Sequence, residues 1–327
     1  MPLRIPVRAT RVPAGDSTWQ WEQEEETLTI PAVVDPEDEA TPDQGEKAAA
    51  AGAAQAAQVL AVTGARGGLG ASVLLLHLAW ALGRAGRRVA MMDLDPVGGL
   101  DLLCGESVLT GLRWADLPAE ESAFRPGHLV GALPVWHAMP VLTGDVRGGP
   151  LPCATAVLEA MRAEHDVVLV DLPRGAPPPP GAGVLILTGL DLRSAVAAES
   201  IASRLRGAVS GGAEVTGTAP GTPVWLVVRQ VGEDVVAEDL ELITGCPVLG
   251  QVPTDRVLAK RLALGEDPVR ARSALRRAAS ALARELLPRL ADAAAPGTCS
   301  LNQLASRPTS QSVNQSGDQS RRQSWSR

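Results

Sequence analysis

The stretch VLAVTGARGGLGASVLLLHLAWALGRAGRRVAMMDLDP, residues 59–96, decides how the rest of the chain is read. Val59–Thr63 is a short apolar run of the kind that forms a buried strand, and it opens into the glycine-rich turn Gly64–Gly70. The spacing then predicts a helix from Ala71 to about Arg84 and a second buried strand, Arg88–Asp93, with Asp93 and Asp95 at its end. Strand, glycine turn, helix and strand together make a phosphate-binding βαβ unit.

A loop of this type wraps phosphate with backbone N–H groups and points a helix N-terminus at it. Gly67, Gly68 and Gly70 let the backbone come close and take positive φ. The usual pattern is G-x-x-x-x-G-K-[ST]. Gly70 fills its second glycine and Ser72 its hydroxyl. Ala65 stands at the first glycine, with Gly64 one residue early, and Ala71 stands at the lysine. From these residues alone the turn is either a weakened phosphate site or a glycine turn without ligand.

Residues 66–72, RGGLGAS, resemble the deviant Walker A loop of the ParA/MinD family, K-G-G-x-G-K-[ST]. The resemblance runs from about Val59 to Leu290. GARGGLGAS (64–72), MDLDPVGGLDLLCG (92–105), GLRWADL (111–117), DLPRG (171–175), TGLDLRSAVAAE (188–199) and VLGQVPTD (248–255) are most similar to its CpaE/TadZ-like branch. More narrowly they resemble actinobacterial CpaE homologues, one group of which is described as septum-site-determining proteins. A loop without lysine recurs in that branch.

The resemblance implies an α/β P-loop NTPase fold, a mostly parallel sheet with helices on both faces. It implies ATP or ADP with Mg²⁺, cradled by Gly64, Ala65, Arg66, Gly67, Gly68, Leu69, Gly70, Ala71 and Ser72. It implies a homodimer, with Arg66 in the position that reaches the partner's phosphates. By the same resemblance Ser72 is a direct Mg²⁺ ligand, and Asp171, the Walker B acid, holds the ion through water. Asp93 or Asp95, from the family's D-x-D-P motif, orients the attacking water. Arg229, in Val228–Arg229–Gln230, falls where the family carries Asn-Arg beside the purine. Ala71 removes a charge-assisted phosphate contact worth about 1.5–3 kcal/mol. The expected result is roughly 10- to 100-fold weaker nucleotide binding, with a larger effect on hydrolysis. Arg66 keeps the charge of the family's first lysine on a planar, longer head, so it is not an equivalent replacement.

The function implied is a spatial organiser that marks a pole or septum and positions division proteins or Tad-type pilus and secretion machinery. The alternative is a working ATPase of the same fold, with Arg66 or a partner residue standing in for the lysine. A metabolic enzyme on this fold ranks third, because the chain has neither the loop lysine nor metal-type cysteine spacing. Partition activity through non-specific DNA binding ranks last. CpaE-like proteins often carry a receiver-like domain ahead of the P-loop domain, and residues 1–55 are too few and too polar for one.

Outward from the loop, the chain has 327 residues, a net charge of −7 and 45% hydrophobic residues, enough for one α/β domain with a full core. Tyr is absent and Phe occurs once, so Val, Leu and Ala must fill the interior, and base-stacking on aromatics is disfavoured. Cys104, Cys153, Cys246 and Cys299 are scattered like free thiols in a reducing cytoplasm. His77, His128, His137 and His165 form no metal pattern, and His77 reads as structural. The amino terminus has no apolar signal region, and the run Ala71–Leu82 is too short to span a bilayer. The expected location is the cytoplasm, or the periphery of the membrane's inner face.

Downstream, strands are predicted at 167–170, 184–187, 223–228 and 247–249, and helices at 154–164, 192–205, 235–242 and 271–290. Pro177–Pro180 enforces an extended loop. In the last helix Leu275, Ala279, Leu282, Leu286 and Leu290 keep one apolar stripe, flanked by Arg270, Arg272, Arg276, Arg277, Arg284 and Arg289. That pattern fits core packing with a solvated arginine face, the alternative being a basic face for DNA backbone or anionic lipid. Residues 1–55, acidic and alanine-rich, and 293–327, rich in Ser and Gln, are expected to be disordered tails around a domain at 56–292.

Overall fold

The apolar run before the glycine turn forms β1 (Gln58–Gly64), and its five central residues are buried. The computed structural model describes residues 57–105, 110–125, 127–207 and 222–294. The two expected tails lie outside these, apart from residues 293–294. So do Cys299 and most of the expected loop at 207–222.

The other strands are β2 (Val89–Asp93), β3 (Val135–Trp136), β4 (Met139–Leu142), β5 (Val167–Asp171), β6 (Gly183–Gly189), β7 (Val224–Arg229) and β8 (Val248–Val252). They form one sheet in the order β3-β4-β2-β5-β1-β6-β7-β8. Every pairing is parallel except that of β3 with β4. β5 and β6 are buried at every position, as a parallel sheet covered on both faces requires.

The helices are α1 (Ala71–Arg84), α2 (Leu100–Leu103), α3 (Ala154–Glu164), α4 (Leu192–Gly207), α5 (Ala237–Thr244), α6 (Arg256–Leu262) and α7 (Ala274–Ala294). α1 packs against α7, and α4 against α5. The stripe Leu275, Ala279, Leu282, Leu286 and Leu290 of α7 is buried, while Arg277, Arg284 and Arg289 are exposed. Core packing with a solvated arginine face is therefore the geometry found. Among the described residues no helix is long and apolar enough to cross a membrane.

One helix, α6, escapes the sequence reading. α6 is short, and it is started by Asp255, whose Oδ1 accepts from Val257 N at 3.0 Å and Leu258 N at 3.1 Å. Thr-Asp before a mildly apolar run is a helix-start signal that stood in the sequence unread. β3 and β4 contain Val135 and Val141, the positions around which the sequence suggests one or two short strands.

His77 lies on the buried side of α1. Its Nδ1 donates to Val73 O at 2.8 Å, and its Nε2 is buried without a partner among the described residues. Burial pushes its pKa below the ordinary imidazole value of 6.5. The unfolded chain then takes up the proton first, so this contribution to stability is constant above pH 6.5 and falls as pH drops below it. His77→Leu should flatten the pH dependence of urea unfolding between about pH 7 and about pH 5. It should also gain about 1–2 kcal/mol by removing the unpaired nitrogen. An unchanged slope would show that His77 contributes nothing to acid sensitivity.

Candidate functional site

The parallel register brings the site together. Asp171 at the end of β5 pairs with Asp93 at the end of β2 and with Val62 of β1. The glycine turn that follows β1 and the two acids therefore share the carboxyl edge of three neighbouring strands, where open α/β sheets bind ligands.

Gly70 caps α1 with φ 87, and a Cβ there would lie 2.8 Å from Arg229 Nη1. Glycine is favoured there by the left-handed backbone, and its lack of a side chain lets the Arg229 guanidinium lie close. Ala65 and Leu69 are buried, and Ala65 N donates to Leu187 O of β6 at 2.8 Å. Gly67 and Gly68 remain exposed, so the loop is tied down at its start and open at its crest.

Asp171 accepts a hydrogen bond from the Ser72 hydroxyl. Desolvation pushes its carboxyl up to about 7; the Ser72 bond opposes this, and the charges of Asp93 and Asp95 add to it. Asp93 is also raised by burial, against donors on both oxygens. Asp95 N donates to its Oδ1 at 2.9 Å, and Thr143 Oγ1 at 2.7 Å and Leu100 N at 3.2 Å donate to its Oδ2. Trp114, fully buried, donates from Nε1 to the Asp93 carbonyl at 2.8 Å. Asp93 thus holds the segment 95–100 in shape. Asp95, half-buried, caps its own turn by accepting from Val97 N at 2.9 Å.

The two arginines of the expected site lie in unequal places. Arg66 is held within its own chain, donating to Asp191 Oδ2 and to Ser194 Oγ at 2.7 Å each. Desolvation raises Asp191, but the bonds from Ser194 and the charge of Arg66 outweigh it and hold that carboxyl below the usual range. Arg229, at the end of β7, lays its guanidinium on the loop and donates from Nη1 to the Leu69 carbonyl. Its Nε is buried without a partner among the described residues. Beside it opens a cleft of about 660 Å³ lined by Gln230, Val231, Pro253, Thr254, Asp255 and Arg256. Thr254 Oγ1 donates to Gln230 O at 3.0 Å and ties the two sides of that cleft together.

Asp191, Ser194, Thr143 and the buried pair Arg113–Asp101, 3.0 Å apart, are site residues that the sequence reading did not single out. Asp191 and Ser194 stood inside the TGLDLRSAVAAE segment, a D-x-x-S helix start whose contact with the loop is not encoded in local spacing. Among the described residues no group of three or more His, Cys, Asp or Glu side chains is placed to hold a metal. The donors at the loop are one hydroxyl, Ser72, and hard carboxylate oxygens beside it. That set fits Mg²⁺, which takes few protein ligands and keeps waters and phosphate oxygens. Ser72 would touch the ion, Asp171 would hold its waters, and the ion's charge would draw Asp171 back to its ionised form.

Parallel strands that deliver a glycine loop and two acids to one edge define the class, a P-loop nucleotide-binding fold. Residues 60–269 match the family model of the CobQ/CobB/MinD/ParA nucleotide binding domain, and the chain belongs to that family. The uncharacterized protein Rv3660c of Mycobacterium tuberculosis is 33% identical over 231 residues, 68% of this chain. The match spans 61% of that relative's length. The chromosome-partitioning ATPase Soj of Thermus thermophilus is 32% identical over 124 residues, 36% of this chain and 47% of Soj. Among solved structures, a ParA family ATPase of Chlorobium tepidum superposes with a TM-score of 0.58 at 16% identity, covering 71% of this chain and 99% of that one. The septum site-determining protein MinD of Pyrococcus horikoshii, complexed with Mg-ADP, gives 0.54 at 18% identity over 73% and 99%. At these identities the structural likeness concerns the fold.

The raised Asp171 carboxyl has a measurable consequence. The folded chain holds that proton more tightly than the unfolded one, so the stability it brings is full below pH 3.8 and is lost as pH rises to about 7. Asp171→Asn cannot ionise. It should match the parent near pH 4 and exceed it above pH 7 by something on the order of 2–4 kcal/mol, read by chemical unfolding without Mg²⁺. Equal stabilities at both ends would mean that Asp171 stays ionised in the fold.

Proposed function

We propose that the chain is a spatial organiser of the ParA/MinD type, similar to the CpaE/TadZ branch, whose loop binds ATP or ADP with Mg²⁺ weakly. In this reading it positions division proteins at a septum, or pilus and secretion machinery at a pole, as a homodimer with residues 1–55 and 293–327 as tails outside the nucleotide domain. The observation that carries it is the loop itself. The glycine loop at 64–72, the Ser72 hydroxyl beside Asp171 and the nearby Asp95 support this reading, and the lysine position holds Ala71. Such a site is suited to sensing a nucleotide more than to rapid hydrolysis, because the charge that builds on the transferring phosphate lacks its usual partner.

A second reading, a working ATPase, gains one specific support. Arg66 is engaged with Asp191 and Ser194 and must break both contacts to serve a partner's phosphates. Arg229 already lies against Leu69 and Gly70 with an unspent Nε. In this reading Arg229 supplies, within one chain, the positive charge that Ala71 lacks. Its planar head offers two-pronged bonds to phosphate oxygens. Pole or septum, cytoplasm or inner membrane face, is read by imaging a fluorescent fusion in the native cell; uniform fluorescence would count against the organiser.

Calorimetry with Mg²⁺-ATP and Mg²⁺-ADP tests the site. The wild type should bind at micromolar levels and Ala71→Lys about 10- to 100-fold more tightly. Arg229→Ala should lose most of the wild-type affinity, and Ala71→Lys in the same chain should restore it. Arg229→Ala with unchanged affinity removes Arg229 from phosphate binding. A wild type that binds nothing up to millimolar nucleotide removes nucleotide binding and leaves the fold as a scaffold.

A further inference from the structure

A second concave feature lies at the opposite edge of the sheet. α1 starts at Ala71 beside the loop and ends at Arg84, and its 14 residues separate the two by about 21 Å. At that far end, the close of α1, the turn into β2, the β3–β4 hairpin and the end of α3 enclose a cleft of about 550 Å³. Arg84, Arg87, Arg88, His137, His165 and Trp80 line it.

The cations of this wall are unequally spent. Arg88 is paired with Asp166 at 2.7 Å, and His137 Nε2 meets Asp267 Oδ2 at 2.7 Å. Glu164, the acid in the wall, has its Oε1 occupied by Gly127 N at 2.7 Å. Arg84 and Arg87 form no ion pair among the described residues, and Arg87 acts on Asp166 only as a more distant charge. His165 donates from Nδ1 to Met161 O at 2.8 Å, which turns its Nε2 to the outside of that bond. Trp80 is held by the Arg276 guanidinium of α7, 3.9 Å from the ring centroid.

The hairpin tip adds a conformational observation. His137 and Ala138 have φ 48 and 64. Tight hairpin turns of this kind ordinarily take Asn or Gly, and two side-chain-bearing residues in the left-handed region are strained. The strain is retained where it brings His137 to the cleft wall.

We propose that this cleft is a second anion site, which takes a phosphate group carried on a small apolar or aromatic body. Guanidinium groups match phosphate oxygens in pairs, and Arg84 and Arg87 are available for that. Trp80 and Met139 supply an apolar wall, and the volume falls in the range of small-molecule sites, roughly 300–1,000 Å³. The ligand is therefore a phosphate ester of about nucleotide size or the headgroup of an anionic lipid. The site draws on the amino ends of the strands and stands independently of what the glycine loop binds.

The test uses the full chain, with Arg84→Ala/Arg87→Ala and Arg84→Lys/Arg87→Lys as paired variants. Inorganic pyrophosphate and AMP are titrated by calorimetry. Sedimentation with phosphatidylcholine vesicles, with and without phosphatidylglycerol, forms the second arm. At about 21 Å from the loop, these arginines leave any binding at the loop unchanged, so the component lost with them belongs to the cleft. The expected result is at least about ten-fold weaker binding in the alanine pair and partial retention in the lysine pair, at an unchanged melting temperature. Loss in the soluble arm assigns the phosphate to a small molecule, and loss in the vesicle arm alone assigns it to a lipid. Binding that is absent from both arms, or equal in wild type and alanine pair, overturns the proposal.

Discussion

Two carboxylates side by side at the ends of neighbouring strands are the constraint around which the rest of this fold is arranged. β2 and β5 are in register at Asp93 and Asp171, and burial there makes each negative charge costly. The protein meets that cost differently at the two positions. Asp93 is surrounded by donors from Asp95, Leu100 and Thr143, which turn it into a clamp for the following loop. Asp171 has the Ser72 hydroxyl and a carboxyl that burial pushes up to about 7, so a nearby cation would favour its ionised form.

Two arginines meet the loop from different sides. A guanidinium is longer and flatter than an ammonium, so it finds partners at a distance. Arg66 finds Asp191 and Ser194 at the start of α4, which ties the loop's crest to the β6 side of the sheet. Arg229 comes from the next strand, β7, and rests on the other end of the loop at Leu69 and Gly70. Arg66, within the loop, is thus spent on Asp191, while Arg229 reaches the loop from the end of β7.

The same helix that begins at the loop ends at the basic cleft, so α1 connects the two edges of the sheet through one rigid element. Its interior is packed with Leu74, Leu75, Leu78 and Leu82, all nearly solvent-free, and α7 lies along it. A helix held this tightly moves as a unit or hardly at all, because interiors packed at crystal-like density do not deform gradually. His77 is the polar exception on its buried side, satisfied at one nitrogen only.

Much of the architecture was legible in the sequence, because buried parallel strands are continuous apolar runs and a glycine turn between strand and helix has few other uses. The loop, its helix, Asp93, Asp171 and the apolar stripe of α7 were all readable from local spacing. What spacing could not carry was partnership across long sequence separation. Arg66 meets a residue 125 positions away, Arg229 one 160 away, and Asp93 one 50 away. The basic cleft joins three separate segments that share no motif. By itself, then, the sequence determined the elements, their class and the edge at which the chemistry lies, because each depends on near neighbours along the chain. The tertiary structure alone decided which charges are spent on one another and which remain available, because strand order and register set those distances.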